Sequence, residues 1–175
     1  MTRQPIPLTD LVLSPFAAFE EDWFLLAAGS LADGEFNAMT ISWGSVGVIW
    51  GRPFVQVVVR PTRHTYSFME RFPSFTVSAF AEEHKDALDL LGSRSGRDGD
   101  KIKASGLTPV ASELVAAPSF AEAQLVLECS KMYFDDIDPG HFLAAHIAPH
   151  YNNDFHRAYF GEILGAFGTD RYRSG

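Results

Sequence analysis

The chain has 175 residues, of which 46% are hydrophobic, and its 22 acidic and 14 basic side chains give a formal net charge of −8. This composition predicts one globular domain with a substantial core and argues against disorder. The negative charge argues against a nucleic-acid-binding protein and against adhesion to an anionic membrane, because both need clustered positive charge. Because Cys129 is alone, no internal disulfide can form. With no signal-peptide pattern and no apolar run of membrane length, we expect a cytoplasmic protein.

The N-terminal third of the chain predicts a β-hairpin. We expect a single domain over residues 1–175, with peripheral segments at 1–22 and 168–175. Residues 23–29 (WFLLAAG) form an apolar run of strand length, and Asp33-Gly34 is typical of a turn. Residues 36–43 then alternate between two faces, one of which carries Asn37, Met39, Ile41 and Trp43.

The middle of the chain predicts a loop, a strand and a helix in succession. Glycines 44, 47 and 51 indicate a flexible loop over 44–51. The β-branched run at 54–59 predicts a buried strand, which Pro61 cannot extend. Thr65 can cap a helix over 66–72, which Pro73 stops.

The rest of the chain is predominantly of strand type. Residues 74–80 predict a strand and residues 84–91 a helix, followed by a charged loop over 92–101. Three apolar stretches predict further strands, at 121–137, 141–147 and 158–167. Many strands with few helices indicate a mainly-β fold, a barrel with helical additions.

The segment after the 54–59 strand has the residue types of a phosphate site. Arg60 and Arg63 flank Pro61, and Arg63 and Thr65 stand at the predicted start of a helix. Guanidinium groups, hydroxyls and a helix N-terminus together suit a phosphate. The alternative is that Thr65 only caps the helix and that the arginines are solvated.

The 92–101 loop is a second candidate for binding an anion. Its serines, glycine and cations could surround an anion through backbone amides and positive charges; they are Ser93, Arg94, Ser95, Gly96, Arg97 and Lys101. The loop does not have the spacing of a Walker motif, and Asp98 and Asp100 would repel a phosphate. A flexible charged loop is the alternative.

The strand over 37–43 could hold a flat aromatic ligand. It carries an amide, a thioether, hydroxyls and an indole, so backbone groups could contact the edge of a ring system while Met39 or Trp43 lies against its face. The alternative is a core strand with surface hydroxyls.

Side-chain catalysis and metal binding have little support in the sequence. The two histidines of HIAPH (146–150) are four residues apart, but Pro149 breaks the helix that would bring them together at a metal ion. The acidic run DDIDPG (135–140) lacks the final glutamate of a calcium-binding EF-hand loop. No GxGxxG dinucleotide-binding motif is present. Cys129 lies in an apolar strand and is expected to be buried and inert. We therefore expect no metal site, and a cofactor that does the chemistry.

Five stretches resemble a known family. NAMTISWG (37–44), GVIWGRP (47–53) and VVVRPTRHT (57–65) resemble the flavin reductase-like, FMN-binding split-barrel family, especially its flavoredoxin-type members. SGRDGDK (95–101) and HRAYFGEI (156–163) are similar to it as well. The likeness runs from about residue 23 to residue 165, and the first block is the most specific.

The resemblance implies a six-stranded split β-barrel with a few helices, a homodimer and non-covalently bound FMN. It implies that Asn37, Met39, Thr40 and Ser42 lie along the isoalloxazine ring, with Trp43 and Trp50 near or supporting it. Arg60, Pro61, Arg63 and Thr65 would form the phosphate site, to which Ser95, Arg97 and Lys101 could add. His156 falls near the reactive face of the ring, where a histidine could orient nicotinamide or donate a proton; the alternative is a surface histidine.

The implied function is an NAD(P)H-dependent flavin reductase or oxidoreductase, in which hydride passes from NADH or NADPH to FMN and then to an unknown electron acceptor. Three alternatives stay open. The first is a flavoredoxin-like electron-transfer module with little NAD(P)H activity. The second is a non-enzymatic flavin- or haem-binding protein. The third is an oxidase of the pyridoxamine-phosphate type. Trp43 is bulky for a site through which free flavin exchanges.

Overall fold

The computed structural model describes residues 2–174. Its β-strands are β1 Gln4–Ile6, β2 Phe24–Ser30, β3 Glu35–Ile41, β4 Gly44–Ile49, β5 Arg52–Val59, β6 Ser74–Ala79, β7 Pro109–Val110, β8 Ser119–Phe120, β9 Leu125–Asp136 and β10 Arg157–Gly168. Its α-helices are α1 Pro15–Ala17, α2 His64–Arg71, α3 Lys85–Ser93 and α4 Lys101–Ser105. A π-helical turn, Ala18–Asp22, follows α1, and short 3-10 turns lie at Leu8–Asp10, Glu82–His84, Pro139–His141, Ala148–His150 and Asp170–Tyr172.

One curved antiparallel sheet dominates the structure. Its strand order is β3-β2-β6-β9-β10-β5-β4, and β1 pairs with the far end of β10. The end strands share one interior, because Met39 and Ile41 of β3 and Val46 of β4 contact the same core. The predicted mainly-β split barrel is therefore confirmed; its sheet has 8 strands, with β1 and β4 added to the six expected.

The apolar run of β2 has a simple physical reason. Phe24, Leu26 and Ala28 point into the barrel core, while Leu25 and Ala27 point into a second core against α3 and α4. A strand that is buried on both faces reads as a continuous apolar run, because neither face meets water. By contrast, β5 sends Val55, Val57 and Val59 inward, so these valines fill the barrel.

Most predicted elements are confirmed to within a few residues. The strands expected at 23–29, 36–43, 54–59, 74–80, 121–137 and 158–167 are β2, β3, β5, β6, β9 and β10, and the helices expected at 66–72 and 84–91 are α2 and α3. The Asp33-Gly34 turn closes the β2–β3 hairpin, where Gly34 has φ 68°. A glycine adopts this left-handed conformation without steric cost.

The predicted loop at 44–51 is wrong, because these residues form β4 and its turn. Glycine weakens an isolated strand, but here β5 supplies a full antiparallel partner, from Gly44 opposite Val57 to Ile49 opposite Arg52. Trp50 and Gly51 make the two-residue turn with φ of 51° and 69°. Positive φ at both positions suits a tight hairpin between twisted strands.

The predicted strand at 141–147 is also wrong. Asp136 at the end of β9 pairs directly with Arg157 at the start of β10, so residues 137–156 form the connection between these strands. In this connection the apolar side chains pack on one another: the Phe142 ring lies 5.8 Å from Tyr151, and Tyr151 lies 5.0 Å from Phe155. We call residues 141–156 the aromatic connection.

Two helix starts differ from the sequence prediction. Arg63, not Thr65, is the N-cap residue of α2, and no side chain caps this helix. The predicted loop 92–101 ends in a short helix, α4, which begins at Lys101 because the Asp100 side chain accepts a hydrogen bond from the Lys103 amide at 3.0 Å. The stretch after α3 is therefore held between two helices.

Two other expectations concern Cys129 and the chain ends. Cys129 is fully buried, and burial raises the pKa of its thiol well above the ordinary value, as expected of an inert cysteine. The peripheral N-terminal segment is tied to the barrel, since β1 pairs with β10 and Ile6 is buried. Across residues 2–174, no helix combines the length and the apolar character needed to cross a bilayer.

Candidate functional site

The two separate anion-binding candidates come together around one small cavity. Its volume is about 90 Å³. The turn before α2 and the 93–101 stretch face each other across it. The cavity is lined by Thr62, Arg63, His64, Thr65, Ser93, Arg94, Ser95, Gly96 and Lys101. We call this cavity the cationic corner.

The cations of this corner are fixed by carbonyl oxygens. Lys101 is only 5% exposed, and its Nζ donates to the carbonyls of Leu91 at 2.8 Å and Arg94 at 3.1 Å. The Arg63 guanidinium donates to the Gly92 carbonyl. Arg97 donates to the Thr62 carbonyl at 3.0 Å.

Positive charge is left uncompensated in this corner. No carboxylate of residues 2–174 lies within 4.0 Å of the side-chain nitrogens of its arginines and lysine. Burial and then the charge of Arg63 lower the pKa of Lys101 to about 8. Burial, followed by the charges of Arg97, Lys101 and Arg71, lowers the pKa of His64. A partly desolvated group of cations without an acid is an arrangement that an anion would stabilise.

Asn37 connects this corner to strand β3. Its Nδ2 donates to Thr65 Oγ1 at 2.8 Å, and the two residues are only 4% and 1% exposed. Gly96 packs against the same amide: a Cβ at position 96 would lie 2.8 Å from Asn37 Oδ1 and from the His64 ring. Thr65 therefore anchors α2 to the sheet, and the 93–101 stretch closes over that anchor.

Replacing Thr65 with valine is expected to lower the free energy of unfolding by about 1–3 kcal/mol, because the buried Asn37 amide would lose its acceptor. Chemical denaturation measures the change. The double variant Asn37→Leu/Thr65→Val removes both partners and should recover part of the loss. A double variant less stable than Thr65→Val would show that this hydrogen bond is not the reason for the loss.

A second cavity, of about 200 Å³, lies further along β3. It is lined by Met39, Thr40, Ile41, Ser42, Trp43, Val58, Arg60 and His156. It thus brings together most of the residues that the resemblance implies for a ring site, and we call it the ring cavity. Four residues of strand, from Asn37 to Ile41, span roughly 13 Å, so one elongated ligand could reach from the ring cavity to the cationic corner. The Thr40 hydroxyl already donates to the Leu88 carbonyl at 2.5 Å.

Arg60 lies with the ring cavity and does not line the cationic corner. The chain turns sharply at Pro61, where the Arg63 amide donates to the Arg60 carbonyl at 3.0 Å, and the two arginine side chains diverge. Arg60 pairs with Asp154 at 2.7 Å and donates to the His150 carbonyl at 2.8 Å. Its guanidinium also lies 5.2 Å from the centre of the Tyr151 ring. The sequence predicts Arg60 and Arg63 in one phosphate site, but the ion pair with the distant Asp154 draws the Arg60 side chain towards the ring cavity.

His156, the last residue of the aromatic connection, is buried. It is 8% exposed, its Nδ1 is 3.1 Å from the Tyr151 hydroxyl, and its ring centre is 5.2 Å from that of Trp43. Burial, followed by the charge of Arg60, lowers the pKa of His156 to about 4. The imidazole is therefore neutral at pH 7 and can orient a ligand by hydrogen bonding, but it is not a cationic acid at that pH.

Tyr151 and Asp154 are parts of this site that sequence reasoning missed. They hold His156 and Arg60 respectively. The run PHYNND (149–154) is rich in turn-forming residues, and its sequence does not predict that Tyr151 and Asp154 contact His156 and Arg60. Trp50, by contrast, lines neither the ring cavity nor the cationic corner: it lies at the β4–β5 turn, with its ring centre 5.8 Å from that of Tyr133.

No cluster of three or more histidine, cysteine, aspartate or glutamate side chains suited to a metal ion occurs in residues 2–174. The chemistry of the site is that of cations, backbone amides and aromatic rings. These groups suit a molecule with an anionic end and a flat end.

The fold and the two cavities define a split-barrel protein in which the cationic corner lies along strand β3 from the ring cavity. Residues 20–153 match the family model described as the flavin reductase like domain. The chain therefore belongs to the flavin reductase-like family. None of the curated proteins compared with the chain matches it.

Solved structures support the same fold. Flavoredoxin of Desulfovibrio vulgaris (Miyazaki F) has a TM-score of 0.67 and 23% identity over 88% of this chain and 73% of that chain. Flavoredoxin from Methanosarcina acetivorans has a TM-score of 0.65 and 22% identity over 95% and 73%. A Streptomyces globisporus NADH:FAD oxidoreductase has a TM-score of 0.65 and 18% identity over 87% and 78%. At these identities the likeness shows the split-barrel fold.

Proposed function

We propose that this protein binds FMN and catalyses hydride transfer from NADH or NADPH to it, as a flavin reductase or flavin-dependent oxidoreductase. The observation that carries the proposal is the buried Lys101 beside Arg63, with no carboxylate of residues 2–174 within 4.0 Å of either. The ring cavity lies four residues along β3. FMN has the matching shape, since a phosphate ends one side and a flat ring system the other.

The linings of the two cavities support FMN as the ligand. Arg63 and Lys101 would contact the phosphate, and Ser95 and the first amides of α2 would complete its shell. Arg97 does not line the cavity, but its guanidinium donates to the carbonyl of Thr62, which does, and it would add positive charge nearby. Residues 39–43 would lie along the ring edge, with Trp43 at its border. Bound FMN would supply the two-electron redox chemistry, accepting hydride from the nicotinamide and passing electrons on.

The contribution of the chain is positioning and exclusion of water. The aromatic connection brings Tyr151 and His156 against Trp43, which narrows the access of solvent to the ring cavity. Neutral His156 would hold the nicotinamide or the ring edge by a hydrogen bond. Arg60, which Asp154 and the His150 carbonyl fix in place, would present guanidinium N–H donors beside the ring, and such donors favour negative charge that develops there.

Absorption spectroscopy of the purified protein tests the cofactor. We expect FMN to bind more tightly than riboflavin, because only FMN engages the cationic corner, and more tightly than FAD, because a cavity of about 90 Å³ suits a terminal phosphate. Anaerobic stopped-flow mixing with NADH and with NADPH should then bleach the bound flavin. A protein that stays colourless after incubation with FMN would refute the proposal.

An electron-transfer module is the second candidate. Trp43 and the aromatic connection crowd the ring cavity, with the Trp43 ring centre 5.3 Å from that of His150, which favours a retained cofactor over one that exchanges. The stopped-flow experiment separates the two candidates: rapid bleaching by either nicotinamide supports a reductase, whereas FMN binding without bleaching supports the module.

We further propose a homodimer. Four rings form a continuous patch on the outer face of the sheet, with Trp50 against Tyr133, Tyr133 against Phe160, and Phe160 against Phe54 at 5.7–5.8 Å. Val58 continues this face into the ring cavity. An exposed aromatic patch of this kind is typical of an interface. Light scattering tests the dimer, and a monomer would contradict it.

A further inference from the structure

A third cavity, larger than the other two, adjoins the ring cavity. It is a groove of about 650 Å³ between the segment 15–23 and residues 42–46, which include the start of β4. Its lining is Pro15, Phe16, Phe19, Glu20, Trp23, Ser42, Trp43, Gly44, Ser45 and Val46. We call it the N-terminal groove. Ser42 and Trp43 line both this groove and the ring cavity, so a molecule in the groove would lie beside the ring cavity.

The segment that forms one wall of the groove has an unusual backbone. Residues Ala18–Asp22 form a π-helical turn, and Trp23 follows with φ 64° and ψ 157°. This region of conformation is essentially restricted to glycine and costs about 1–3 kcal/mol for other residues. π-Helical turns and such strained residues occur preferentially at functional sites.

Other contacts hold this strained wall in place. The Lys85 ammonium lies 3.8 Å from the centre of the Trp23 ring and donates to the Glu21 carbonyl. The Trp23 indole donates to the Glu20 carbonyl at 3.2 Å. The opposite wall packs tightly, since a Cβ at Gly44 would lie 2.6 Å from the Phe19 ring. The groove is therefore a built surface with a fixed floor.

The lining of the groove indicates the chemistry of its ligand. It presents aromatic faces and edges from both walls, and the Phe16 side chain is 88% exposed. Among the residues that the structure describes, Glu20 is the one charged residue in this lining. A carboxylate at the rim of an acidic protein disfavours phosphates and other anions, whereas aromatic walls favour a flat ring system.

We propose that the N-terminal groove binds a flat, uncharged aromatic molecule of the naphthoquinone type, and that this molecule is the electron acceptor of the protein. The acceptor role rests on the proposed function. The net reaction would balance as NAD(P)H plus quinone plus one proton from water, giving NAD(P)⁺ and the hydroquinone. Three of the lining residues, Pro15, Phe16 and Phe19, precede residues 20–153, the range that matches the family model.

Binding to the FMN-free protein tests the groove independently of the cofactor. The probe is menadione, an uncharged naphthoquinone, and the readout is quenching of tryptophan fluorescence, because Trp23 and Trp43 line the groove. We expect saturable quenching, and Phe16→Ala should weaken menadione binding by about 3- to 10-fold through loss of one aromatic contact. The matched control is Val48→Ala, which shortens a 75% exposed apolar side chain that lines neither the groove nor the ring cavity and should change nothing.

The charge of the ligand is tested in the same assay. We expect 1,2-naphthoquinone-4-sulfonate, an anionic analogue, to bind more weakly than menadione, and Glu20→Gln to narrow that difference. Non-saturable quenching equal to that of free N-acetyltryptophanamide would overturn the groove as a binding site. Equal menadione affinity in wild type and Phe16→Ala would overturn it as well.

Turnover of the FMN-loaded protein tests the acceptor role. Phe16→Ala should raise the KM for menadione by about the factor found for binding, with unchanged FMN affinity. If FMN fails to bind but menadione binding is saturable and depends on Phe16, the proposed function is wrong, whereas the groove is still supported as a quinone-binding site. If nicotinamide reduces bound FMN but menadione is not reduced, the acceptor role falls and the proposed function stands.

Discussion

Replacing Lys101 with methionine is expected to lower FMN affinity by about 10- to 100-fold while riboflavin affinity stays nearly unchanged. The reason is the loss of one charge-assisted contact to the phosphate, worth roughly 1.5–3 kcal/mol. Arg63→Met should have an effect of similar size. Fluorescence titration with both flavins measures the ratio of the two affinities, and this ratio is insensitive to a general loss of stability.

Two variants serve as controls for this prediction. Lys103→Met removes an exposed cation from the same helix, α4, and should leave the FMN-to-riboflavin ratio unchanged. Arg60→Met removes a cation that lines the ring cavity, so it should weaken both flavins together. If the ratio falls in Arg60→Met and not in Lys101→Met, the phosphate does not lie in the cationic corner.

The same lysine also predicts a pH dependence. Its pKa in the folded protein is about 8, below the ordinary 10.5. FMN affinity should therefore fall as the pH rises above about 8, because the ammonium that contacts the phosphate is lost, whereas Lys101→Met should show no such fall. The stability of the FMN-free protein changes in the opposite sense. Between about pH 8 and pH 10.5, Lys101 keeps its proton in the unfolded chain but has released it in the folded chain. The free energy of unfolding of the FMN-free protein therefore rises with pH across this range.

His156 is expected to make the folded protein sensitive to acid. Its pKa is about 4 in the folded protein and 6.5 ordinarily, so between these values the unfolded chain binds a proton that the folded chain does not. The free energy of unfolding should therefore fall as the pH drops through this window, by up to about 3 kcal/mol from this histidine. Denaturation across the window should give a shallower slope for His156→Gln than for wild type.

The matched control for this prediction is His141→Gln. The side chain of His141 is 85% exposed, so its replacement should keep the wild-type slope. If His156→Gln and wild type lose stability in parallel as the pH falls, His156 accepts a proton in the folded state without penalty, and the neutral role assigned to it is wrong.

The local elements could be predicted because local physics decides them. The apolar run of β2 reflects burial on both faces, and the alternation in β3 separates Met39, in the barrel core, from Thr40, which bonds to α3. β4 could not be predicted, because its glycines argue against a strand until β5 offers a complete set of hydrogen-bonding partners. The apolar stretch 141–147 was predicted as a strand and is not one. Its composition is typical of a strand, but β9 and β10 pair directly with each other, so no partner strand is left for it.

The candidate site divides in the same way. The sequence by itself determined the strand-rich fold class, the resemblance to the flavin reductase-like family and the two runs of cations and hydroxyls at 60–65 and 92–101. Only the tertiary structure decided that these runs share one cavity, that Lys101 is buried there without an acid, and that Arg60 pairs with Asp154, 94 positions away. The physical reason is that burial and charge pairing depend on which distant segments come into contact. The patterns that predict strands and helices, by contrast, depend on residues that are close in sequence.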